Sequence, residues 1–596
     1  MLTNIRRIFR IAQAHKLRFA ASQIAMALAA ICTVGYSTLI SPLVNDGMIA
    51  GNSEAAVDVG IKMLMLAVGM GICMAIAATQ AVFFSQSAGY EIRKRLYERL
   101  QEYSFENFDH RSTGDLMVRL NADVVNVQNA TQFAIMLGSY APFMLIITIV
   151  LAAATTPGLV WVLLVLVAAL IAVMGVLVPA INRAYNQRQQ RLDDLNNTLQ
   201  ENLTGISVVK AFVREQYEIR KFRHAADNLR EPVYAAAWRV AFFAPLLTGM
   251  SQIAIICATW AGGNQVLGDD PSLSVGDISA FSSYVSLIIA PLALLSIVIP
   301  LILRGDVSAG RIFEAYEVTP TIEQPTDAMA LPTDGPRGRI EFRDVSFAFR
   351  RPDGVLDPPA LQGINLTIEP GQQVGFLGAT GAGKSALVNL IPRFYDVTEG
   401  SITIDGIDVR QIELDELRRF VGIALQEAVL FQGQLRSNLK FARPEVDDEV
   451  MFGAARAADA FSFASRLPGG WDAEVARRGY NFSGGQRQRL SITRALTQQP
   501  RVIILDDSTS ALDASTEGRV QAAIPEFVDG ATTIYVAQRI SAVIDLDHIY
   551  LLDQGRIVAE GSHEDLLASS QLYRDIYDSQ LGGGVTAGID LEEAGA

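Results

Sequence analysis

A glycine-rich loop in the second half of the chain decides the fold of that half. It follows the apolar run Val374-Gly375-Phe376-Leu377 and consists of Gly378, Ala379, Thr380, Gly381, Ala382, Gly383, Lys384 and Ser385. A strand, this loop and then a helix form the context that a phosphate-binding loop requires. Glycines let backbone N–H groups turn toward phosphate oxygens, the lysine reaches the β- and γ-phosphates, and the serine hydroxyl ligates Mg²⁺. The pattern predicts an α/β domain that binds a nucleoside triphosphate with Mg²⁺.

A second apolar strand ends in two carboxylates. Residues 501–505 run into Asp506 and Asp507. An aspartate after a strand is usually a turn residue, but with a phosphate-binding loop upstream it can hold the Mg²⁺ of the nucleotide. We therefore predict that Asp506 is a magnesium ligand together with Ser385.

The region around these motifs alternates short β-branched runs with helical stretches, which is typical of an α/β domain. We place this domain at residues 339–580. A proline-punctuated linker at 319–338 precedes it. The glycine-rich, acidic end at 581–596 is expected to be disordered.

The first half of the chain is a membrane domain by composition. Half of all residues are hydrophobic and only 19% are charged, against about 25% in an average soluble protein. Residues 124–182 contain no Asp, Glu, Lys or Arg, which is enough length for two spans. Similar charge gaps predict a transmembrane domain at 1–318 with six spans, at about 18–42, 57–84, 130–154, 159–181, 240–261 and 278–303. Polar helix-forming stretches at residues 84–130 and 183–237 continue them into the cytoplasm.

Basic residues predict the orientation of these spans. They cluster before the first span and after the second and fourth, whereas the loops on the opposite side carry no Lys or Arg. Because basic residues stay on the cytoplasmic side, both termini are predicted to be cytoplasmic, in the inner or plasma membrane of a bacterium. The net charge of −14 argues against a nucleic-acid partner. The cysteines, Cys32, Cys73 and Cys257, all lie in apolar stretches and form no disulfide framework.

Further motifs resemble those of ATP-binding cassette (ABC) transporters. The sequence Ser483, Gly484, Gly485 and Gln486 is similar to the signature motif of this family. Gln426 matches its Q-loop glutamine, a further Mg²⁺ ligand, and Asp513 ends a D-loop that begins at Ser510. Phe349 falls where the family places an aromatic ring that stacks on adenine. Residues 108–116 and 205–212 resemble its two cytoplasmic coupling loops. The resemblance implies an exporter: an all-α six-helix transmembrane domain with long cytoplasmic helical extensions, fused to an α/β ATPase domain that uses ATP and Mg²⁺.

Two positions depart from the pattern of an active ATPase in this family. The family has Glu directly after the magnesium aspartate, where it polarises the attacking water, and this chain has Asp507. Losing one methylene withdraws the carboxylate by roughly 1 Å, which can cost about 100-fold in rate. The family's switch histidine is replaced by Gln538, which can hydrogen-bond a phosphate but cannot become cationic. Together they predict a site that binds ATP and hydrolyses it poorly.

The resemblance also implies a dimer, because ATP is sandwiched between the phosphate-binding loop of one ATPase domain and the signature of another. We expect a heterodimer with a second half-transporter that carries the missing Glu and His, as in bacterial heterodimeric multidrug exporters. Arg477, where many exporters carry Glu, is either a solvated residue or a charge reversal matched by the partner.

Alternatives to this assembly and this function remain open. They are a homodimeric exporter, an ATP-gated regulatory or channel-like protein, and a siderophore importer. The expected substrate is a small hydrophobic or amphiphilic compound, either a drug or a lipid, with peptides left open, and the lipid bilayer is a further partner.

Overall fold

The structure is a computed structural model that describes residues 3–11, 15–267, 273–325, 327–331 and 338–581. By contacts between residues the chain forms two units: Met1–Gln101 with Thr113–Val318, and Glu102–Ser112 with Thr319–Ala596. The tail predicted to be disordered lies outside the described residues beyond Leu581, and so do positions 326 and 332–337 of the predicted linker.

The first unit is helical, because a chain in hydrocarbon must satisfy its backbone N–H and C=O groups within each segment. Its helices, with the short α5 of the second unit in its place in the chain, are α1 (Thr3–Ile11), α2 (Lys16–Thr38), α3 (Ile40–Pro42), α4 (Ser53–Gln101), α5 (Phe105–Asp109), α6 (Thr113–Val118), α7 (Val124–Thr155), α8 (Val160–Thr204), α9 (Ile206–Ala211), α10 (Glu215–Val266) and α11 (Val275–Tyr316).

Six helical segments of the described chain are long and apolar enough to cross a membrane, which confirms the predicted number. They are Lys16–Ile49, Ser53–Gln101, Thr113–Thr155, Pro157–Thr204, Glu215–Val266 and Val275–Tyr316. With 49 residues, α4 is about 74 Å long, more than twice the roughly 30 Å of the bilayer core. The cytoplasmic extensions predicted from sequence are therefore parts of the spanning helices themselves.

Short helices interrupt two of these extensions. The helix α5 begins just after its N-cap, Ser104, whose N–H donates to the side-chain oxygen of Asn107 at 2.9 Å; a side chain that reaches back in this way satisfies an N–H group at the start of a helix. Further on, α8 ends at Gly205 and α9 follows directly. The predicted helical stretches 84–130 and 183–237 are thus broken at the segments that resemble coupling loops.

The second unit contains a predominantly parallel sheet covered by helices. Its strands are β1 (Ile340–Phe347), β2 (Leu361–Ile368), β3 (Gln373–Leu377), β4 (Glu399–Ile404), β5 (Ile407–Asp408), β6 (Val421–Ala424), β7 (Gly433–Gln434), β8 (Glu474–Val475), β9 (Val502–Asp506), β10 (Thr532–Ala537), β11 (His548–Asp553) and β12 (Arg556–Gly561). The six-stranded sheet has the order β12-β11-β3-β10-β9-β6, and only β12 is antiparallel to its neighbour. An antiparallel sheet of order β2-β1-β4-β5 and the pair β7-β8 complete the strands.

Helices separate these strands along the chain. They are α12 (Lys384–Leu390), α13 (Leu414–Phe420), α14 (Leu435–Leu439), α15 (Asp448–Ala457), α16 (Phe461–Ala464), α17 (Gly484–Thr497), α18 (Ala514–Phe527), α19 (His563–Ser569) and α20 (Gln571–Gln580). Two buried clusters cover the opposite faces of the parallel sheet: one contains Val374 and Phe376 of β3, the other Leu377 and Ile503. The predicted fold class, a helical transmembrane domain fused to an α/β domain, is confirmed.

Strand register brings the chemically important segments together. Ala537 of β10 pairs with Leu377 of β3, and Val536 pairs with Asp506 of β9. These three parallel strands therefore end at one edge of the sheet. The loops that leave this edge carry the glycine-rich segment, the two aspartates and Gln538.

Candidate nucleotide-binding site

Close backbone packing explains why the loop after β3 needs glycine. The φ angle of Gly383 is +100°, in the left-handed region, and a Cβ there would lie 2.7 Å from the carbonyl oxygen of Ala360. A Cβ on Gly378 would lie 2.3 Å from the carbonyl oxygen of Leu552. A side chain at either position would displace the backbone of the neighbouring segment. Only glycine keeps the loop in this conformation.

Lys384, the first residue of α12, folds back into the loop. Its Nζ donates to the carbonyl oxygens of Gly378 and Ala379 at 2.7 and 2.9 Å. Burial lowers the pKa of Lys384, while Asp507 and Asp506 act in the opposite direction. The ammonium group thus lies inside the loop, at the position from which it can reach a bound phosphate.

Ser385 and Asp506 lie next to each other, as predicted for two ligands of one cation. The Ser385 hydroxyl donates to Asp506 Oδ1 at 3.0 Å. Asp506 is buried, and this burial raises its pKa, with a further contribution from the neighbouring Asp507. Hydroxyl and carboxylate oxygens are ligands that Mg²⁺ prefers. The donor set therefore fits the predicted magnesium site.

Asp507 has an unusual backbone conformation. Its φ is +45°, and its N–H donates to the Val536 carbonyl oxygen at 3.1 Å. Its carboxylate accepts from Gln426 Nε2 at 3.3 Å, so the Q-loop glutamine and the residue after the magnesium aspartate are in contact. Burial raises the pKa of Asp507, and Gln426, Lys384 and Arg539 oppose that shift. Gln426 and Asp507 thus occupy the same edge of the site as Lys384 and Asp506.

Gln538 follows β10 and reaches the glycine-rich loop. The Thr380 hydroxyl donates to Gln538 Oε1 at 3.1 Å. From the other side, Gln580 at the end of α20 donates to the Gln538 carbonyl oxygen at 3.0 Å and accepts from the Ile540 N–H at 2.8 Å. The switch position is therefore held at two points. Gln580 carried no signal in the sequence, because a glutamine near the end of a helix is usually solvated.

The signature segment begins a helix. Ser483 is the N-cap of α17, and with Gln486 it forms a capping box. One turn on, Gln488 donates to the Ser510 hydroxyl at 3.2 Å and accepts from the Ala511 N–H at 2.9 Å. The signature helix and the D-loop are thus tied together by a residue that the sequence analysis did not single out. Among the described residues, no hydrogen bond joins residues 483–486 to residues 378–385.

Asp513, predicted as a D-loop contact, has a structural role in this chain. It is the N-cap of α18 and accepts from the Thr516 N–H and hydroxyl at 3.0 and 2.8 Å. These hydrogen bonds hold the pKa of Asp513 well below its usual range. The cap fixes the end of the D-loop. Arg477 is exposed at the start of a short turn before the signature, and its role stays a prediction.

Phe349 packs against other aromatic rings just beyond β1. Its ring meets Phe347 and Tyr395 edge-on, with centroid distances of 4.8 and 5.5 Å, and 37% of the residue remains exposed. An exposed ring supported in this way can offer a face to a planar base. Its predicted contact with adenine stays a prediction.

Tyr395 also connects this aromatic group to α5. Its hydroxyl donates to Asp109 at 2.7 Å, while Phe105 stacks on Phe394 with ring centroids 4.2 Å apart. Burial, with Asp109 as a second cause, raises the pKa of Tyr395 well above its usual value. The helix α5, which overlaps the start of the segment that resembles the first coupling loop, is therefore held within the second unit by a hydrogen bond and a ring contact that sequence reasoning missed.

Comparison with known proteins agrees with this arrangement. The ABC transporter transmembrane region matches residues 21–292, and the ABC transporter family of ATPase domains matches residues 361–510. The ABC transporter ATP-binding protein YfiB of Bacillus subtilis is 34% identical over 91% of this chain and 93% of its own length. An ATP-dependent lipid A-core flippase of Syntrophus aciditrophicus is 32% identical over 97% of this chain and 94% of its own length.

A solved structure of a bacterial Atm1-family ABC exporter with ATP bound superimposes with a TM-score of 0.78, at 25% identity, over 95% of this chain and 98% of the other. The chain belongs to the ABC transporter family. It is an exporter half-transporter, a multi-pass membrane protein with one six-span domain followed by one ATP-binding domain.

Proposed function

We propose that this chain is one subunit of a heterodimeric ABC exporter and that its own ATP site hydrolyses slowly. The observation that carries the proposal is the pair Asp507 and Gln538 at a site whose phosphate loop is intact: Gln538 accepts from Thr380 of that loop, and Asp507 accepts from Gln426. Both belong to the hydrolytic step, whereas the residues that bind the phosphates match the family pattern. The residues for hydrolysis have changed, whereas the residues for phosphate binding are retained. This combination favours a site that binds ATP without hydrolysing it efficiently.

Within this site each residue has a separate role. The loop 378–385 cradles the phosphates through its backbone N–H groups, and Lys384 leaves its loop carbonyls to pair with the β- and γ-phosphates. Ser385, Asp506 and Gln426 supply oxygens for Mg²⁺, which neutralises phosphate charge when it is bound. Phe349 stacks on the adenine.

The geometry around Asp507 supports slow hydrolysis. A general base must reach the proton that it abstracts, directly or through one water. The shorter Asp507 side chain is engaged with Gln426 at 3.3 Å and lies about 1 Å further from an attacking water than Glu would. The left-handed backbone also favours aspartate, which tolerates this region better than glutamate does. The chain therefore has a local structural reason to keep the shorter residue.

Gln538 supports the same conclusion independently. Its amide oxygen accepts a hydrogen bond from Thr380 of the phosphate loop, so the side chain is in reach of that loop. It remains neutral at all physiological pH values, so it cannot supply the positive charge of an imidazolium to the departing phosphate. It can hold a γ-phosphate without promoting cleavage.

The signature helix is the part that this subunit contributes to its partner. Its N-terminus is well formed, with a complete capping box at Ser483 and Gln486. A helix N-terminus with glycines at its first positions can approach the phosphates of a nucleotide closely. We infer that the hydrolysing site pairs this signature with a partner's phosphate loop, glutamate and histidine.

A cavity of about 520 Å³ in the membrane unit supports a lipophilic substrate. It is lined by α2, α4, α10 and α11 and contains Tyr36 and Met70 but no charged residue. Some of its hydroxyls donate to carbonyl oxygens one turn back: Thr33 to Ala29 at 2.7 Å and Ser286 to Ser282 at 3.0 Å. Their oxygens are left as acceptors.

The cavity therefore favours a neutral or cationic amphiphile that carries hydrogen-bond donors. Two relatives are lipid A-core flippases, and a lipid substrate is compatible with the apolar walls. A strongly anionic substrate would find no counter-charge among the residues that line this cavity.

ATP turnover and vesicle transport test the proposal together. The purified chain alone is expected to bind ATP and release phosphate slowly, and a complex with its partner is expected to turn over faster. In sealed vesicles the complex should accumulate a lipophilic cation with ATP and not with a non-hydrolysable analogue. Brisk ATP turnover by the chain alone would show that the exporter is a homodimer. If the substrate moves with the non-hydrolysable analogue and does not accumulate against a gradient, the protein is a gated channel.

A further inference from the structure

A second cavity, of about 290 Å³, lies where α1 meets α4 and α11 in the first unit. Three arginines line it, two from the N-terminal helix and one from the extension of α4: Arg7, Arg10 and Arg95. Apolar residues of α11, including Phe313, form its other side. This site is separate from the ATP site and from the cavity between the spans.

The arginines are unequally neutralised. Arg7 forms an ion pair with Glu317 and lies over the Phe313 ring, with its guanidinium carbon 4.5 Å from the ring centroid. Arg95 is 3.6 Å from Glu91. Among the described residues no ion pair involves Arg10, which is exposed to the cavity. The cavity therefore has a positive charge in excess.

The N-terminal helix is fixed in this position by specific contacts. Ile8 is 1% exposed, and the Asn4 N–H donates to the carboxylate of Asp306 at 3.1 Å. Arg7 and Arg10 are three positions apart on α1, with the buried Ile8 between them in the sequence. The fixed helix therefore holds both guanidinium groups on the side of the cavity. The wall of the cavity formed by α1 is therefore fixed against α11.

We propose that this cavity binds a phosphate-bearing anion, and that the source is the headgroup of an anionic lipid in the cytoplasmic leaflet. An amphipathic helix with arginines on its polar side is typical of segments that lie at the surface of an anionic leaflet. Side chains of a helix point toward its N-terminus, so Arg95 extends back along α4 toward the membrane-spanning part. Arginine binds phosphate oxygens through two parallel hydrogen bonds. The lipid assignment rests on the predicted cytoplasmic placement of both termini.

Titration of the full-length chain in detergent tests the pocket. The probes are dioctanoyl-phosphatidylglycerol, dioctanoyl-phosphatidylcholine as the zwitterionic reference, and sodium phosphate at matched ionic strength, with bound molecules counted by native mass spectrometry. We expect saturable binding of phosphatidylglycerol alone. Each arginine contributes about fivefold in affinity, so Arg10→Gln with Arg95→Gln should weaken binding about 30-fold.

The matched control removes the same charge elsewhere. Arg188→Gln with Arg191→Gln changes two arginines of α8 outside the cavity, of which Arg188 is half-buried and Arg191 is exposed, and binding should stay within about twofold. Arg95→Lys keeps the charge and should lose less than Arg95→Gln. Each variant should keep its affinity for a fluorescent ATP analogue and the melting temperature of the unmodified chain, which together show that both units are folded. If the double variant fails this check, Arg10→Gln alone replaces it, because Arg10 forms no ion pair with the part of the chain that the structure describes.

The outcomes separate the possible sources. If phosphate alone binds with the same sensitivity to the variants, the ligand is free phosphate and the lipid assignment is wrong. Equal losses in both double variants would mean a diffuse surface-charge effect, and no loss in the pocket variant would mean that the cavity is not a binding site. Either of these two results overturns the proposal, and neither bears on the ATP site.

Discussion

Restoring the two missing catalytic groups should accelerate hydrolysis by this chain alone. Asp507→Glu extends the carboxylate by about 1 Å, and a displacement of that size can change the rate about 100-fold. Taking about 10 s⁻¹ as an ordinary turnover number, the unmodified chain should hydrolyse ATP at about 0.1 s⁻¹. Gln538→His adds a group that can become cationic next to Thr380.

The full gain is reduced by the backbone at position 507. Its φ of +45° is tolerated by aspartate, and glutamate there costs about 1 kcal/mol in strain. We therefore expect Asp507→Glu with Gln538→His to raise turnover about 10- to 100-fold, with a small loss of thermal stability. Phosphate release by protein in lipid nanodiscs measures this, with each single variant in parallel.

Two controls make the result interpretable. Adding Lys384→Ala to the double variant should abolish the gain, because the phosphate loop then binds ATP weakly. Asp507→Asn keeps the size of the side chain and removes its charge, so it should not accelerate hydrolysis. The reasoning is refuted if the unmodified chain already turns over near 10 s⁻¹, or if the double variant binds ATP normally and is no faster.

The other predictions concern single residues. Lys384→Ala should weaken ATP binding by this chain without abolishing transport by the heterodimer, whereas Ser483→Arg should abolish transport and leave ATP binding by this chain intact. Fluorescence of an ATP analogue measures binding, and uptake into vesicles measures transport. The reverse pattern would contradict the assignment of the signature to the partner's site. Gly383→Ala should destabilise the protein by about 1–3 kcal/mol, because the added Cβ meets the carbonyl oxygen of Ala360. Gly518→Ala lies in open space on α18 and should stabilise the protein by about 0.5–1 kcal/mol. Equal melting temperatures for the two variants would refute this. Gln580→Ala removes both hydrogen bonds to the switch segment. The two bonds together contribute about 1–2 kcal/mol, so amide exchange at residues 538–540 should accelerate about 5- to 30-fold. Unchanged exchange would show that α20 does not hold this segment.

The sequence was sufficient where a local pattern has one physical solution. Charge gaps give the number of spans because an ionised side chain near the centre of the hydrocarbon core is costly. The loop 378–385 is recognisable because backbone N–H groups can surround a phosphate only if particular residues are glycine. Asp507 and Gln538 are visible as departures because their positions are counted from these motifs.

Contacts between distant segments required the tertiary structure. Gln580 lies 42 residues from Gln538, and Tyr395 lies 286 residues from Asp109. No periodicity or spacing encodes such pairs, because they depend on how strands and helices are arranged in space. The left-handed backbone of Asp507 and the capping role of Asp513 likewise follow from the ends of β9 and α18. Sequence alone thus determined the number of spans and the motif of the phosphate loop, since both depend on residue type along the chain. The folded arrangement decided which residues hold the switch segment and α5 in place, since hydrogen bonds and ring contacts form only between groups that folding brings within a few ångströms.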